Sequence, residues 1–93
     1  MNALSILLQA RAPQRECHRA YGIEVGRDLF GVWVVEMTYG RIGTAGRTKV
    51  RSFPTLDDAR TQVEACLRKR ATAPRRIGVA YQIIRFREFG DQA

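Results

Sequence analysis

The chain has 93 residues, 45% of them hydrophobic and 27% charged, which is typical of one soluble globular domain spanning residues 1–93. No apolar run approaches the ~20 residues of a membrane-spanning helix, and the N-terminus does not resemble a secretory signal. The net charge is +7, and fourteen of the sixteen Lys and Arg residues are arginines. Such a domain is a candidate for binding a polyanion, although the charge could also serve solubility alone. The excess lies almost wholly after residue 40, which favours a basic face built by the second half.

The first half of the chain predicts strands. The apolar run Leu4–Leu8 predicts a short strand that Pro13 ends, because proline cannot donate a ladder hydrogen bond. Alternation over Tyr21–Val25 predicts a half-buried strand, followed by a turn at Gly26–Asp28. The strongest strand is predicted over Phe30–Tyr39, where alternate side chains share a face.

Aromatic residues in these strands are predicted to pack inside the domain. Trp33 lies in mid-strand between valines, which favours a core position. Tyr21, Phe30 and Phe53 are interpreted in the same way, as core or edge packing.

A hairpin and a helix follow. Gly46 provides positive φ for a hairpin turn, after which Arg47–Phe53 returns as a strand. Thr55 is predicted as the N-cap of a helix, with Asp58 completing a variant of the capping box. The helix has one apolar stripe, formed by Leu56, Ala59, Val63, Cys66 and Leu67.

The helix is expected to end at a basic last turn, Arg68–Arg70, before Pro74. A last strand is predicted over Val79–Ile84, with Phe86 as an alternative end, and a tail over about residues 85–93. The elements predict an α+β fold: a twisted antiparallel sheet of about five strands, with one amphipathic helix packed on one face. The domain core is expected over about residues 3–84, and the other sheet face is expected to stay partly open.

The basic residues form a pattern that suits a nucleic acid. Arg47, Lys49 and Arg51 alternate along one strand, so their heads share a face at a spacing of ~6.6–6.8 Å and can follow a phosphate backbone. Tyr39 adds an aromatic plane and Arg41 lies close by in the hairpin. Aromatic rings among arginines bind strand ends or single strands without reading base sequence. The alternative is a solvated sheet face with Tyr39 half-buried.

Several short motifs occur in a fixed order: Arg19-Ala20-Tyr21, Leu29-Phe30-Gly31, Tyr39-Gly40-Arg41-Ile42-Gly43, Gly46 and the acidic helix start Asp57-Asp58. Over roughly residues 3–72 the sequence resembles the WGR domain, especially its small bacterial members. That family is named for a Trp-Gly-Arg triplet followed by a hydrophobic residue and Gly. Tyr39 stands here in place of the namesake Trp, and the basic segment after the helix is more spread out.

The resemblance implies an antiparallel sheet with one helix, and it favours DNA over RNA as the partner, although the sequence itself does not distinguish the two. In eukaryotic poly(ADP-ribose) polymerases the domain binds DNA near a break, where the Trp packs on the terminal nucleotide and the Arg links DNA to neighbouring domains. By resemblance, Tyr39 and Arg41 take those places, and Arg70 at the helix end contacts the backbone. The resemblance does not include a transferase domain, so it implies no ADP-ribosylation.

Catalysis, metal binding and a cofactor are not expected. The only histidine, His18, has no acid or serine at a catalytic spacing, and no paired carboxylates are predicted on a common strand face. Gly40–Gly46 lacks the Lys-Ser/Thr of a phosphate loop. Cys17 and Cys66 have no metal-ligand spacing, and two reduced thiols fit a cytoplasmic protein. Two functions remain open: nucleic-acid binding, and docking of an acidic protein partner through the same basic face.

Overall fold

The computed structural model describes residues 2–88, apart from the side chains of Asn2 and Arg15. A short 3-10 turn, Pro13–Arg15, joins the first two strands. The elements in chain order are β1 (Asn2–Ala12), β2 (Cys17–Arg27), β3 (Trp33–Arg41), β4 (Arg47–Phe53), α1 (Leu56–Ala71), α2 (Ala73–Ile77) and β5 (Gln82–Glu88).

The five strands form one antiparallel sheet in the order β4-β3-β2-β1-β5. The first four strands form a meander, which is the simplest way to pair strands joined by short loops. The chain then passes through α1 and α2 and returns as β5 beside β1. Strands β4 and β5 are therefore the two edges, and the predicted α+β fold is confirmed.

The core lies on one face of this sheet. Ile6, Ile23 and Val35 project from three adjacent strands and are almost completely buried. Helix α1 packs over them with the buried part of its predicted stripe, Ala59, Val63 and Cys66. We call this side of the sheet the helix face and the opposite side the open face. No helix in residues 2–88 covers the open face.

Helix α1 begins and ends as the sequence predicts. The Thr55 hydroxyl accepts a hydrogen bond from the Asp58 N–H at 3.1 Å, which satisfies one of the free donors of the first turn. The last turn is basic, which suits the negative end of the helix dipole. Pro74 lies in the first turn of α2, where its missing N–H has no helical partner to lose.

The loop between β2 and β3 differs from the prediction. The predicted turn at Gly26–Asp28 is wrong, because β2 continues to Arg27. The Asp28 carboxylate instead accepts hydrogen bonds from the N–H groups of Phe30 and Val32, both at 2.9 Å. This side-chain turn competes with strand pairing and starts β3 only at Trp33. The predicted packing of Phe30 is therefore wrong: its side chain is 90% exposed.

The last strand also differs in its limits. It begins at Gln82 rather than Val79, because Gly78 caps α2 with a positive φ and the chain must first return to the sheet. It continues to Glu88, so residues 85–88, predicted to begin the tail, belong to the sheet. The rest of the predicted tail, residues 89–93, lies outside the described residues.

Candidate nucleic-acid interface

Three cations line the β4 edge of the helix face. Arg47, Lys49 and Arg51 lie directly opposite Tyr39, Met37 and Val35 of β3 in the antiparallel register. Directly opposed residues project from the same face of a sheet. We call Arg47, Lys49 and Arg51 the basic stripe. All three are exposed, and their predicted alternation along one face is confirmed.

A hollow of about 510 Å³ opens at the end of the sheet where β3 finishes. We call it the terminal hollow. Strands β2 and β3, the C-terminal end of α1 and the segment after it enclose the space together. Its walls are dominated by cations and carry one acidic residue, Glu16, and one histidine, His18. The main basic and aromatic lining residues are Arg19, Tyr39, Arg41, Lys69, Arg70, Arg76 and Tyr81.

Arg70 is held in the wall of the hollow by an aromatic ring. Its guanidinium carbon lies 3.9 Å from the centroid of the Tyr21 ring, a cation–π contact. The Nε atom is buried and has no hydrogen-bond partner among the described residues. Burial, aided by the neighbouring Cys66 thiol, raises the pKa of the Tyr21 hydroxyl, so this phenol stays protonated at neutral pH. The ring is therefore a neutral platform that positions a cation.

The hairpin fixes the backbone of Arg41 and leaves its side chain exposed. The Arg41 carbonyl accepts hydrogen bonds from the Thr44 N–H at 3.1 Å and the Thr44 hydroxyl at 2.7 Å. The Ile42 N–H donates to the His18 carbonyl at 2.8 Å, which ties the hairpin to β2. No acidic side chain in residues 2–88 pairs with Arg41. Its charge is therefore available to a ligand.

The six predicted site residues lie on one continuous surface. Tyr39, Arg41 and Arg70 line the terminal hollow. Arg47 lies beside Tyr39 in the sheet register, and the rest of the basic stripe leads away from the hollow along β4. From Arg47 to Arg51 the stripe spans roughly 13 Å, at ~3.3–3.4 Å per residue.

Sequence reasoning missed three cations of the hollow. Arg19 lies directly opposite Arg41, so the two guanidinium groups leave the same face side by side. Lys69 lines the hollow from α1. Arg76 folds back over the end of α1, donating to the Lys69 carbonyl and the Thr72 hydroxyl, both at 3.1 Å. The bond to Lys69 reaches a carbonyl of the last helical turn, so Arg76 is a capping residue that also closes one wall.

The open face carries an acidic pair. Glu24 lies directly opposite Glu36, and the Glu24 carboxylate accepts a 2.5 Å hydrogen bond from the Ser5 hydroxyl. The expectation that no paired carboxylates lie on a common strand face is therefore wrong. The pairing depends on the register between β2 and β3, which a local sequence pattern does not reveal. Residues 2–88 contain no group of three or more potential metal ligands. This acidic pair lies on the side of the sheet opposite the basic stripe.

Neither helix in the described residues has the length and apolar character needed to cross a membrane.

Comparison with known proteins agrees with this architecture. A search of curated proteins finds no match to the chain. The family model of the WGR domain matches residues 4–73, which run from β1 to the start of α2 and make up most of the chain. The Tyr-Gly-Arg hairpin at the hollow lies within this match, and the chain belongs to the WGR domain family.

Proposed function

We propose that this protein is a nucleic-acid-binding module that contacts the phosphate backbone and strand ends of DNA without strong sequence readout. The observation that carries the proposal is the shared surface of the basic stripe and the terminal hollow, with Tyr39 between them. The WGR family, which is associated with nucleic-acid binding in general, supports it. Lys and Arg contacts to phosphate provide affinity that does not depend on base sequence.

Each part of the surface has a distinct role in this proposal. The stripe follows one phosphate backbone, because its cations repeat along an exposed strand edge. The half-buried ring of Tyr39 offers a stacking plane to the last base or sugar, as in proteins that bind single strands and ends. Arg41 and Arg70, which line the hollow, neutralise the phosphates that enter it.

Fluorescence anisotropy of a labelled short DNA duplex tests the proposal. The protein is expected to bind at low salt, and an unlabelled duplex of different sequence should compete about as well as the same sequence. Absence of binding at low salt contradicts the proposal. A strong preference for one base sequence contradicts backbone recognition.

Substitutions at Arg41 and Tyr39 are expected to affect DNA binding and stability in different ways. Arg41→Ala is expected to weaken binding and leave the melting temperature unchanged, because the side chain is exposed and has no ion pair in residues 2–88. Tyr39→Ala is expected to lose ~1–3 kcal/mol of binding free energy and some stability, since its ring packs against the core. Thermal melts and anisotropy on each variant check both effects.

Tyr39→Trp is the matched control, because it keeps and enlarges the stacking ring. This variant is expected to bind at least as tightly as the natural chain. Unfolding of the Arg41→Ala variant shows instead that the arginine is structural and is wrongly assigned to the site. Unchanged binding by Tyr39→Ala shows that the stacking platform is elsewhere.

A second candidate function is docking of an acidic protein partner through the same basic face. The adjacent Arg19 and Arg41 favour it, because paired guanidinium groups suit carboxylates as well as phosphates. A pull-down that survives nuclease treatment supports this function, and a nuclease-sensitive one supports nucleic-acid binding. For either function we propose a binding role without catalysis, in the cytoplasm, where the free thiols of Cys17 and Cys66 remain reduced.

A further inference from the structure

The loop between β2 and β3 displays two large apolar side chains to solvent. Leu29 is 100% exposed and Phe30 is 90% exposed. Exposed apolar groups of this size are costly to hydrate and often mark a binding site when they adjoin one another. Neither residue contributes to the core or to the site described above.

Hydrogen bonds fix the backbone of the loop that carries these side chains. The Asp28 carboxylate accepts the hydrogen bonds from Phe30 and Val32 described above, and the Asp28 N–H donates to the Val32 carbonyl at 3.0 Å. The Gly31 N–H donates back to the Asp28 carbonyl at 3.1 Å, with Gly31 at a φ of +80°. Since the loop backbone is already ordered, little backbone conformational entropy remains to be lost when the apolar tip binds.

The loop lies at the far end of the basic stripe from the hollow. In the sheet register, Trp33–Phe53 is the last pair, two positions beyond Val35–Arg51, and the loop comes next. Arg27 contacts the Trp33 ring at 5.1 Å from its centroid, so a further cation lies at this end. Measured along β3 from Tyr39 to Trp33, the strand residue that follows the loop, the distance is roughly 20 Å at ~3.4 Å per residue. This length corresponds to about six base steps at ~3.4 Å each, and Phe30 lies in the loop just beyond it.

We propose that Phe30, assisted by Leu29, inserts between bases of a DNA that lies along the basic stripe, about six steps from the end held at the terminal hollow. The inference rests on the proposed function and adds a second contact point to it. Apolar side chains wedge between base steps and kink the duplex in several DNA-binding folds, and an aromatic ring can stack on the exposed base. Continuity with the exposed cations of the basic stripe favours DNA over an apolar protein partner.

We call the proposed insertion of Phe30 between bases the wedge. Duplexes that carry the fluorescent base 2-aminopurine at successive positions test it, because the emission of 2-aminopurine rises when that base unstacks. The natural chain is expected to bind and to raise the emission at one or two positions about six steps from one end. Phe30→Ala is expected to abolish the rise and bind about tenfold more weakly. Phe30→Trp is expected to retain both. Phe86→Ala is the matched control, since Phe86 is 54% exposed on the far edge strand, and it should behave like the natural chain.

The outcomes separate the wedge from the function on which it rests. If the natural chain does not bind DNA at low salt, both proposals are overturned. If it binds but no position brightens, or if Phe30→Ala keeps the full signal and affinity, only the wedge is overturned. A concentration-dependent dimer in sedimentation that Phe30→Ala abolishes, without any change in emission, assigns the tip to self-association and also overturns the wedge.

Discussion

Replacing Arg47, Lys49 and Arg51 together with glutamine is expected to weaken binding to a short DNA duplex by roughly 100-fold at about 0.1 M salt. Each cation that neutralises a phosphate releases counterions, and the free energy of that release is lost with the charge. The three side chains are exposed on an edge strand, so the melting temperature should change little. Anisotropy and thermal melts on the triple variant measure the two effects.

A second triple variant removes the same amount of charge from the other side of the sheet. Arg11, Arg85 and Arg87 lie opposite His18, Leu7 and Ser5 in the register, which places them on the open face. Their replacement with glutamine is expected to reduce affinity only slightly, through the weaker long-range field. Equal losses in the two triple variants contradict a localised binding stripe and attribute the binding to net charge.

Gly46→Ala is expected to destabilise the fold by roughly 2–4 kcal/mol, from a disfavoured backbone conformation together with a steric clash. Gly46 has a φ of +69°, and a Cβ there would lie 2.6 Å from the Tyr39 carbonyl oxygen. Gly40 approaches Gly46 nearly as closely, since a Cβ at Gly40 would lie 2.8 Å from the Gly46 Cα. The obstacles are backbone atoms, so the β3–β4 hairpin itself must shift. Urea denaturation followed by Trp33 fluorescence measures the loss.

The Gly43→Ala variant measures the loss of stability that comes from the backbone conformation alone, without a steric clash. Gly43 has a φ of +86°, and a Cβ there meets no atom within 4 Å. Its replacement is therefore expected to cost only ~1–2 kcal/mol, the ordinary penalty of a left-handed conformation. Equal destabilisation by the two variants contradicts the close approach of Gly40 and Gly46.

Local signals account for the parts of the fold that the sequence predicts well. Strand β4 has the predicted limits, since Gly46 defines its start and Pro54 its end. Thr55 caps α1 because a hydroxyl before an acidic first turn satisfies one of the free N–H groups of that helix. The basic stripe is a direct consequence of strand periodicity and needs no knowledge of distant residues.

The residues that sequence reasoning missed depend on pairing between strands. A turn centred near Arg27 would place Arg41 opposite Pro13, whereas the observed loop places it opposite Arg19. The same register brings Glu24 opposite Glu36. The loop is set by the Asp28 carboxylate, whose hydrogen bonds to Phe30 and Val32 are hard to distinguish in a sequence from the start of a strand. Lys69 and Arg76 reach the hollow only because α1 crosses the sheet.

The proposed function requires the basic stripe and the terminal hollow to contact phosphates. The most direct test measures how the affinity of the natural chain for a DNA duplex depends on salt concentration. If about three to five phosphates are neutralised, a plot of log K against log salt concentration has a slope of about −3 to −4.5. A slope within this range supports recognition of the nucleic-acid backbone. A slope near zero, or no binding at low salt, contradicts it.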